Sequence, residues 1–444
     1  MGRAVTSTGD PRGRTDGLGW VSRAVFGDDR IGLTVDGAPP AGHRVLARYT
    51  VVPSVERARF LLPRGATRAT AAALLAYNAL RPPKIRAVRA GLGALARIGV
   101  LDAARFPTLT VSLPADVDPA GALLAAHLAE LLGVRPAYAA CGIRPPDPHH
   151  KPTLQVFAAD GRPLGYAKIG WNDATRALVT AECAALRALP QASGVDGHPV
   201  TPRLLAELTW AGQVVAVVEP LPLAVRGVPV DDPPRIGALL AVARRGGAPA
   251  APRPLAGSTF LARLTTEAAR AAAADDTMAT ATAGSGVEQS GTSRAGGGER
   301  AGARAVEAVA ALARRHGDTA VEFGHWHGDW VPWNLGRHAG NLVAWDWEHS
   351  GPDVPLGFDL AHDAFQRALV LDGQPAGAAA AAVDAHLAAH GAALGLSAAG
   401  RRLVADAYLV EMWLRTWRLA AGGAGWNPAL HPALLDVVEK RHSG

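Results

Sequence analysis

The chain has 444 residues and a mass of 45.8 kDa, which is more than one hydrophobic core usually supports. Apolar residues make up 49% of the chain and charged residues 19%, a composition that excludes wholesale disorder. The formal net charge is +6, and this small excess, spread over scattered arginines, gives little support for a nucleic-acid partner. The sequence therefore predicts a globular protein of two or three structural units that does not bind nucleic acid.

The cysteine content and the N-terminus predict the compartment. Cys141 and Cys183 are too few for a disulfide framework in so long a chain, which favours a reducing environment. The first residues are polar and rich in glycine, and no stretch of about twenty apolar residues follows them. We therefore expect a cytoplasmic protein without a membrane partner, and the Ala-, Gly-, Pro- and Arg-rich usage is typical of high-GC bacteria.

The N-terminal part divides into two predicted segments. Residues 1–44 are rich in Gly, Asp, Arg and Pro and are expected to be mostly disordered or irregular. Residues 45–133 are predicted as an α/β block of unknown role. Its predicted strands cover 45–52, 59–62 and 108–113, and its predicted helices cover 69–80, 84–100 and 119–132.

The rest of the chain shows strands first and helices later. In 134–222 we predict strands over 137–141, 153–158, 163–169, 203–210 and 213–218, with a helix over 174–189. Residues 223–444 are predicted to be helical, apart from a low-complexity stretch at about 271–304 that lacks a periodic apolar face and is expected to be a disordered insertion. This order predicts a two-lobed α+β arrangement.

The densest cluster of functional residue types lies between His325 and Glu348. Phosphoryl transfer needs a carboxylate near the acceptor hydroxyl, and oxygen ligands for a Mg²⁺ ion that neutralises the phosphate oxygens. Asp329 is the candidate base, while Asn334, five residues later, and Asp346, after the next predicted strand, are candidate Mg²⁺ ligands. Four histidines of this region fall at irregular intervals, which disfavours a zinc site; they are His325, His327, His338 and His349.

The motif resembles that of a known family. His327-Gly328-Asp329, Asn334 and Asp346-Trp347-Glu348 resemble the H-G-D-x-x-x-x-N…D-x-E signature of the aminoglycoside phosphotransferase and choline kinase-like branch of the kinase superfamily. The resemblance covers roughly residues 134–444. It implies a bilobal protein kinase-like fold, with a small β-rich N-lobe and hinge over 134–222 and a mostly helical C-lobe over 223–444, beside an extra N-terminal α/β block.

The resemblance also implies roles for individual residues. It makes Asp329 the catalytic base, Asn334 and Asp346 the metal ligands, and ATP and Mg²⁺ the cofactors. His327 and Glu348 are expected to support the site. Asp359 resembles the buried aspartate that supports the catalytic loop in that family.

The upstream half supplies candidate nucleotide-binding residues. A kinase needs a strand Lys on the α/β-phosphates, fixed by a Glu from the next helix. Lys168, at the end of predicted strand 163–169, and Glu182, inside predicted helix 174–189, stand at these positions. A compact ammonium suits this task better than a guanidinium fork. Lys168 is therefore informative in a chain with four lysines, which are Lys84, Lys151, Lys168 and Lys440.

The predicted adenine and phosphate contacts are less typical. Glu219 and Leu221 follow strand 213–218 and are candidates to bind adenine through backbone groups. No G-x-G-x-x-G motif lies between strands 137–141 and 153–158, where Gly142 and Arg144 stand instead. These two are expected to cover the phosphates by backbone N–H and positive charge.

These observations predict an ATP- and Mg²⁺-dependent phosphotransferase acting on a hydroxyl of a small molecule. The C-terminal region is not acidic, so a sugar, amino alcohol or natural product is favoured over a polycationic aminoglycoside. One face of predicted helix 405–419 is either a wall of the acceptor site or ordinary core; it carries Tyr408, Glu411, Met412, Arg415 and Arg418. The alternative function is a catalytically weak kinase-like regulator that binds a nucleotide or a partner. The acceptor and the oligomeric state are left open.

Overall fold

The computed structural model describes residues 3–4, 18–76, 80–81, 83–144, 149–189, 197–245, 247–284 and 301–443. The chain divides into two compact units. The first, here called the sheet unit, comprises Met1–Ala188, Thr201–Gly227 and Gly336–Gly340. The second, the helical unit, comprises Leu189–Val200, Val228–Leu335 and Asn341–Gly444. The predicted α+β class, with an antiparallel N-terminal sheet and a helical C-terminal part, is confirmed.

The described residues of the sheet unit form a ten-stranded antiparallel sheet in the order β1-β2-β5-β3-β4-β6-β7-β8-β10-β9. Its strands are β1 Arg3–Ala4, β2 Gly32–Val35, β3 His43–Val52, β4 Phe60–Pro63, β5 Thr108–Pro114, β6 Ala137–Gly142, β7 Thr153–Ala158, β8 Pro163–Gly170, β9 Leu204–Trp210 and β10 Gln213–Val218. A short strand, β11 Arg226–Gly227, lies outside this sheet. The helices are α1 Gly19–Val25, α2 Thr67–Leu75, α3 Pro83–Arg97, α4 Val100–Ala103, α5 Leu124–Leu131 and α6 Asp173–Ala188.

The pairing of β4 with β6 connects two segments that the sequence analysis treats separately. Phe60 lies opposite Gly142 and Leu61 opposite Cys141, so residues 45–133 and 134–222 share one sheet. One apolar core also runs through both segments, with Val51, Leu109 and Val217 fully buried in it. The N-terminal block and the predicted N-lobe thus fold as parts of the same unit.

Residues 18–35 are ordered, although the sequence analysis expects the first 44 residues to be mostly irregular. Leu18, Val21 and Val25 are buried along α1, and Phe26 joins them in the core. Every residue of 18–26 whose burial the structure describes is buried, so this short helix is enclosed by the core, and the Gly- and Arg-rich surroundings obscure it in the sequence. Residues 5–17 lie outside the described part of the chain.

The helical unit contains the remaining elements. Its helices are α7 Ile236–Arg244, α8 Thr259–Gly284, α9 Ala301–His316, α10 Phe358–Gln366, α11 Ala376–His390, α12 Ala398–Leu419 and α13 Ala433–Ser443. Its short strands are β12 Arg253–Pro254, β13 Ala320–Val321, β14 Phe323–Trp326, β16 Asn341–Ala344 and β17 Gly351–Pro355, and β15 Leu335–His338 lies mostly in the sheet unit. None of the helices in the described residues has the length and apolar character needed to cross a bilayer.

The structure differs from the expected disordered insertion at 271–304. Helix α8 continues to Gly284 and α9 begins at Ala301, while residues 285–300 lie outside the described part. A Cβ atom on Gly302 would come within 3.0 Å of the backbone of Ala271 and Ala272, so these helices pack in close contact. Small residues make that approach possible, and alanine has the highest helix propensity. The composition that suggests disorder here instead allows close helix packing.

Candidate active site

The loop 327–334 follows β14 and ends in one turn of 3₁₀ helix, Pro332–Asn334. Gly328 has a φ of +80°, and a Cβ atom there would lie closer than 3.0 Å to the carbonyl oxygen of His349. Both the backbone conformation and the space therefore require glycine at this position. Asp329 follows Gly328 directly, so the backbone turn at Gly328 determines the position of the candidate base.

Asp359, in the first turn of α10, binds the backbone of this loop through its carboxyl group. Its Oδ2 accepts the N–H of His327 at 2.7 Å, and its Oδ1 accepts the N–H of Gly328 at 3.0 Å. Burial raises the pKa of Asp359 to about 7, although the two N–H donors and Arg415 act in the opposite direction. The carboxyl thus satisfies two loop donors that would otherwise be buried without a partner.

Arg415, on α12, binds the same turn from another side. Its Nη1 donates to the carbonyl oxygen of Gly328 at 2.8 Å, and its guanidinium lies 4.8 Å from the centre of the Trp326 ring. The face that Arg415 shares with Tyr408 and Met412 was predicted to be either a wall of the acceptor site or ordinary core. All three side chains are buried, so this face is core, a distinction that helical spacing alone cannot make.

His327 connects the loop with the strand that follows. Its Nε2 donates to the carbonyl oxygen of Trp345 at 3.1 Å, and its Nδ1 accepts the N–H of Asp329 at 3.2 Å. The ring is fully buried, 4.3 Å from that of Trp347 between ring centres. Burial lowers the pKa of His327 to about 4, so the imidazole is neutral at neutral pH and makes both bonds in one tautomer.

Asp329 is held at both carboxylate oxygens. Its Oδ1 accepts a hydrogen bond from Nε2 of His362 at 3.0 Å, and its Oδ2 accepts one from Nδ2 of Asn334 at 2.7 Å. Burial acts to raise the pKa of Asp329, but the bond from His362 and the neighbouring histidines keep it below its usual range. The side chain is still 27% exposed, so an ionised carboxylate is accessible from solvent.

His362 escaped the sequence analysis. It lies on α10 three residues after Asp359, on the same helix face, and both side chains meet the loop. A helical projection from Asp359 would have pointed to it. Its Nδ1 lies 3.0 Å from the hydroxyl of Tyr408, and both side chains are fully buried.

The proposed metal ligands lie at the two ends of one hydrogen-bonded segment. The N–H of Trp345 donates to the carbonyl oxygen of Asn334 at 3.2 Å, which brings the end of β16 against the loop and places Asp346 next to it. Asp346 adopts a φ of +63°, a left-handed conformation that aspartate tolerates better than most residues with a Cβ atom. Glu348 is largely buried, 3.8 Å from Nε2 of His349.

These donors suit Mg²⁺. The amide nitrogen of Asn334 donates to Asp329, so the amide oxygen is the atom that could bind a metal, and Asp346 could add a carboxylate. Mg²⁺ is usually bound through one or two protein oxygens together with substrate phosphates and water. Within the described residues, no group of three or more His, Cys, Asp or Glu side chains is arranged to hold a metal.

In the sheet unit, Lys168 and Glu182 form an ion pair. Lys168 lies on β8 between Thr153 of β7 and Ala216 of β10, and its Nζ is 2.5 Å from Oε1 of Glu182 on α6. The two side chains are only 13% and 2% exposed, so the pair is shielded from water. The structure thus brings together two residues that are fourteen positions apart in the sequence and that were predicted to act as a pair.

The other nucleotide candidates lie at the ends of strands of the same sheet. Gly142 ends β6 and is exposed, as is Arg144, and residues 145–148 lie outside the described part. The N–H of Glu219 donates to the carbonyl oxygen of Arg203 at 2.9 Å, so this N–H is already engaged within the sheet unit. Leu221 is buried.

No protein-family model matches the chain, and no curated protein matches it significantly. Among solved structures, the chain is similar to a thermostable mutant of aminoglycoside phosphotransferase APH(4)-Ia in ternary complex with ADP and hygromycin B. The identity is 13% and the TM-score 0.39, over 72% of this chain and 99% of that chain. The chain is also similar to glucosamine kinase in complex with glucosamine, ADP and inorganic phosphate, at 16% identity and a TM-score of 0.23, over 75% of this chain and 82% of that one. The first carries the name of the family that the motif around Asp329 resembles.

Proposed function

We propose that this protein is a phosphotransferase that moves the γ-phosphoryl group of ATP to a hydroxyl of a small molecule, with Mg²⁺ bound. One observation carries the proposal. Asp329 is an ionised, partly exposed carboxylate on a loop whose backbone is fixed by Asp359 and Arg415, with Asn334 and the end of β16 beside it. A carboxylate next to oxygen ligands for Mg²⁺ is the arrangement that phosphoryl transfer to an alcohol requires.

In the proposed reaction, Asp329 accepts a hydrogen bond from the acceptor hydroxyl and orients its oxygen. As that oxygen bonds to the γ-phosphorus, the bond from phosphorus to the bridging oxygen breaks, ADP leaves, and the hydroxyl proton moves to Asp329. Each carboxylate oxygen already accepts one hydrogen bond, from His362 or Asn334, and keeps a second lone pair for the substrate. A low pKa makes Asp329 a weak base, which suits a loose transition state in which positioning matters more than early proton removal.

The remaining candidate residues have separate proposed roles. In the helical unit, Asn334 and Asp346 would hold Mg²⁺, which when bound neutralises charge on the phosphate oxygens. In the sheet unit, Lys168 would bind the α/β-phosphates, oriented by Glu182. Gly142 and Arg144 would cover the phosphates, and the backbone of Glu219 and Leu221 would meet the adenine. His327 and Asp359 would support the loop, and Glu348 the metal site.

For the acceptor, we propose a neutral or weakly charged hydroxyl compound, such as a sugar, an amino alcohol or a natural product. Glu411 is the acidic member of the α12 face, and it is buried in ion pairs with Arg263 and Arg418. It is therefore not available to a polycationic aminoglycoside. We place the enzyme in the cytoplasm, acting without a nucleic-acid or membrane partner.

The test begins with thermal unfolding of the wild type with and without ATP and Mg²⁺. An ATP-consumption screen over hydroxylated metabolites follows, with Asp329→Asn as the inactive control, because Asn keeps the size of the side chain but not its charge. We expect ATP to raise the melting temperature of both proteins and to be consumed by the wild type alone. A wild type that ATP does not stabilise would contradict the proposal.

A second candidate function, binding of a ligand or partner by the sheet unit, is favoured by a cavity of about 840 Å³ between β3, β6 and α5. β4 has four residues and pairs with β3 only from Tyr49 onward, so among the described residues no strand fills the space between β3 and β6 beyond its end. Ala126 lines this space. Ala126→Trp should fill the cavity and abolish thermal shifts caused by compounds that bind there, with the ATP shift unchanged. Identical shifts in both proteins across a metabolite screen would remove this candidate.

A further inference from the structure

We infer that His362 is a positioning residue for Asp329, locked in one tautomer by Tyr408. The inference rests on the proposed function, since it assigns a role in setting the geometry of the proposed base. His362 has no access to solvent, so it acts through Asp329 and not on the substrate. It is not part of the H-G-D-x-x-x-x-N motif, from which it is separated by the three strands β15, β16 and β17 and the first turn of α10.

The hydrogen bonds specify the state of the ring. Asp329 is ionised and can only accept, so Nε2 of His362 must carry a proton and donate it at 3.0 Å. Burial lowers the pKa of His362, which favours a neutral ring with one proton. Nδ1 is then an acceptor, and the Tyr408 hydroxyl 3.0 Å away donates to it. Tyr408 therefore selects the tautomer that has its proton facing Asp329.

The two donors to Asp329 fix its remaining rotation. The outer torsion angle of an aspartate side chain has a broad distribution, so the position of the backbone alone does not orient the carboxylate. Asn334 lies within the loop and moves with Asp329, whereas His362 belongs to α10 and is fixed to the core. The bond from His362 is thus the one that sets the carboxylate relative to the rest of the helical unit. A displacement of about 1 Å in such a group costs about a hundredfold in rate.

Matched amide substitutions separate this role from simple packing. His362→Gln places an amide nitrogen near the position of Nε2 and keeps a donor to Asp329. His362→Asn places its polar group near Nδ1, where it meets Tyr408 but does not reach Asp329. Both put one uncharged amide into the same buried site and should lower stability alike. We expect kcat to stay within about fivefold of the wild type for Gln and to fall about 10- to 100-fold for Asn, as for other orienting partners.

The KM for ATP should change less than twofold in both variants, because neither amide touches the nucleotide in this proposal. Equal losses of kcat in Gln and Asn at equal melting temperature would overturn the inference, since they would show that His362 only fills space. Tyr408→Phe is the second variant, and it removes one hydroxyl while keeping the ring. It should lower kcat with unchanged KM; an unchanged kcat would remove Tyr408 from the assignment.

One measurement does not depend on turnover, so it tests the role of His362 separately from the proposed function. The ¹⁵N chemical shifts of the His362 ring report which nitrogen is protonated, whether or not an acceptor is known. We expect the Nε2-protonated tautomer in the wild type and a mixture in Tyr408→Phe. An Nδ1-protonated wild type would overturn the positioning role even if ATP turnover is observed. The expected tautomer in a protein without turnover would instead count against the proposed function alone.

Discussion

Alanine substitutions at two glycines test how the loop 327–334 is built. Gly328 and Gly340 have almost the same backbone conformation, with φ of +80° and +82°. A Cβ atom on Gly340 would meet no heavy atom within 4 Å, whereas one on Gly328 would overlap the carbonyl group of His349. Gly328→Ala and Gly340→Ala therefore share the cost of the left-handed conformation and differ in the steric overlap alone.

The shared cost is about 1–2 kcal/mol, the usual value for a residue with a Cβ atom in this conformation. Overpacking in a close-packed site adds about 1–3 kcal/mol. We therefore expect Gly328→Ala to lower the free energy of unfolding by about 2 kcal/mol more than Gly340→Ala, or about 30-fold in the unfolding equilibrium constant. Since Asp329 follows Gly328 directly, the same overlap should shift the base and lower kcat by roughly a hundredfold.

Urea-induced unfolding, followed by tryptophan fluorescence, measures the free energy of unfolding of each variant. ATP turnover with an acceptor found in the metabolite screen measures kcat. Equal unfolding free energies for the two variants would refute the reasoning, because they would mean that His349 moves away at no cost. A destabilised Gly328→Ala with wild-type kcat would refute the link between this turn and Asp329.

Three further predictions follow from individual contacts. Lys168→Met should raise the KM for ATP at least tenfold, whereas Lys84→Met, at an exposed position of α3, should leave it unchanged. Asp359→Asn keeps one acceptor for the two loop N–H groups and should cost about 1–3 kcal/mol of unfolding free energy. Burial raises the pKa of Asp359 to about 7, so ionisation of this carboxyl group opposes folding. The free energy of unfolding of the wild type, compared with that of Asp359→Asn, should therefore fall as pH rises from about 4 to 7. Burial acts to raise the pKa of Glu411, but Arg418 and Arg263 lower it to about 2. The wild type should therefore have a higher free energy of unfolding than Glu411→Gln, with the full difference above about pH 4.5 and none towards pH 2. Urea unfolding of each pair of proteins across these pH ranges checks the last two.

Local patterns were predictable from the sequence. The strands at 153–158 and 213–218 match β7 and β10 in full, because apolar stretches bounded by turns define short strands within an antiparallel sheet. The ion pair of Lys168 and Glu182 was expected because a kinase needs a strand Lys held by a Glu of the next helix, and these two residues are only 14 positions apart. The loop from His327 to Asn334 spans eight residues, so its spacing in sequence already limits the distances between its side chains.

Contacts between distant elements were not predictable in this way. The periodicity of α12 marks a face that includes Tyr408 and Arg415, but it does not say whether that face meets a ligand or the underside of a loop. The Asp329–His362 bond joins residues 33 positions apart, and only the packing of α10 against the loop brings them together. The Ala-rich end of α8 was misjudged because low complexity suggests disorder, whereas close packing against Gly302 favours small residues.

The loop is fixed from several elements at once. α10 binds its N–H groups through Asp359, α12 binds a carbonyl oxygen through Arg415, and the end of β16 accepts from His327. Glycine adopts the positive φ of Gly328 without strain, so these contacts fix the position of the turn and do not enforce an unfavourable backbone conformation. Since α12 supports this loop through buried side chains such as Arg415, substitutions at its buried positions should alter catalysis while leaving nucleotide binding intact.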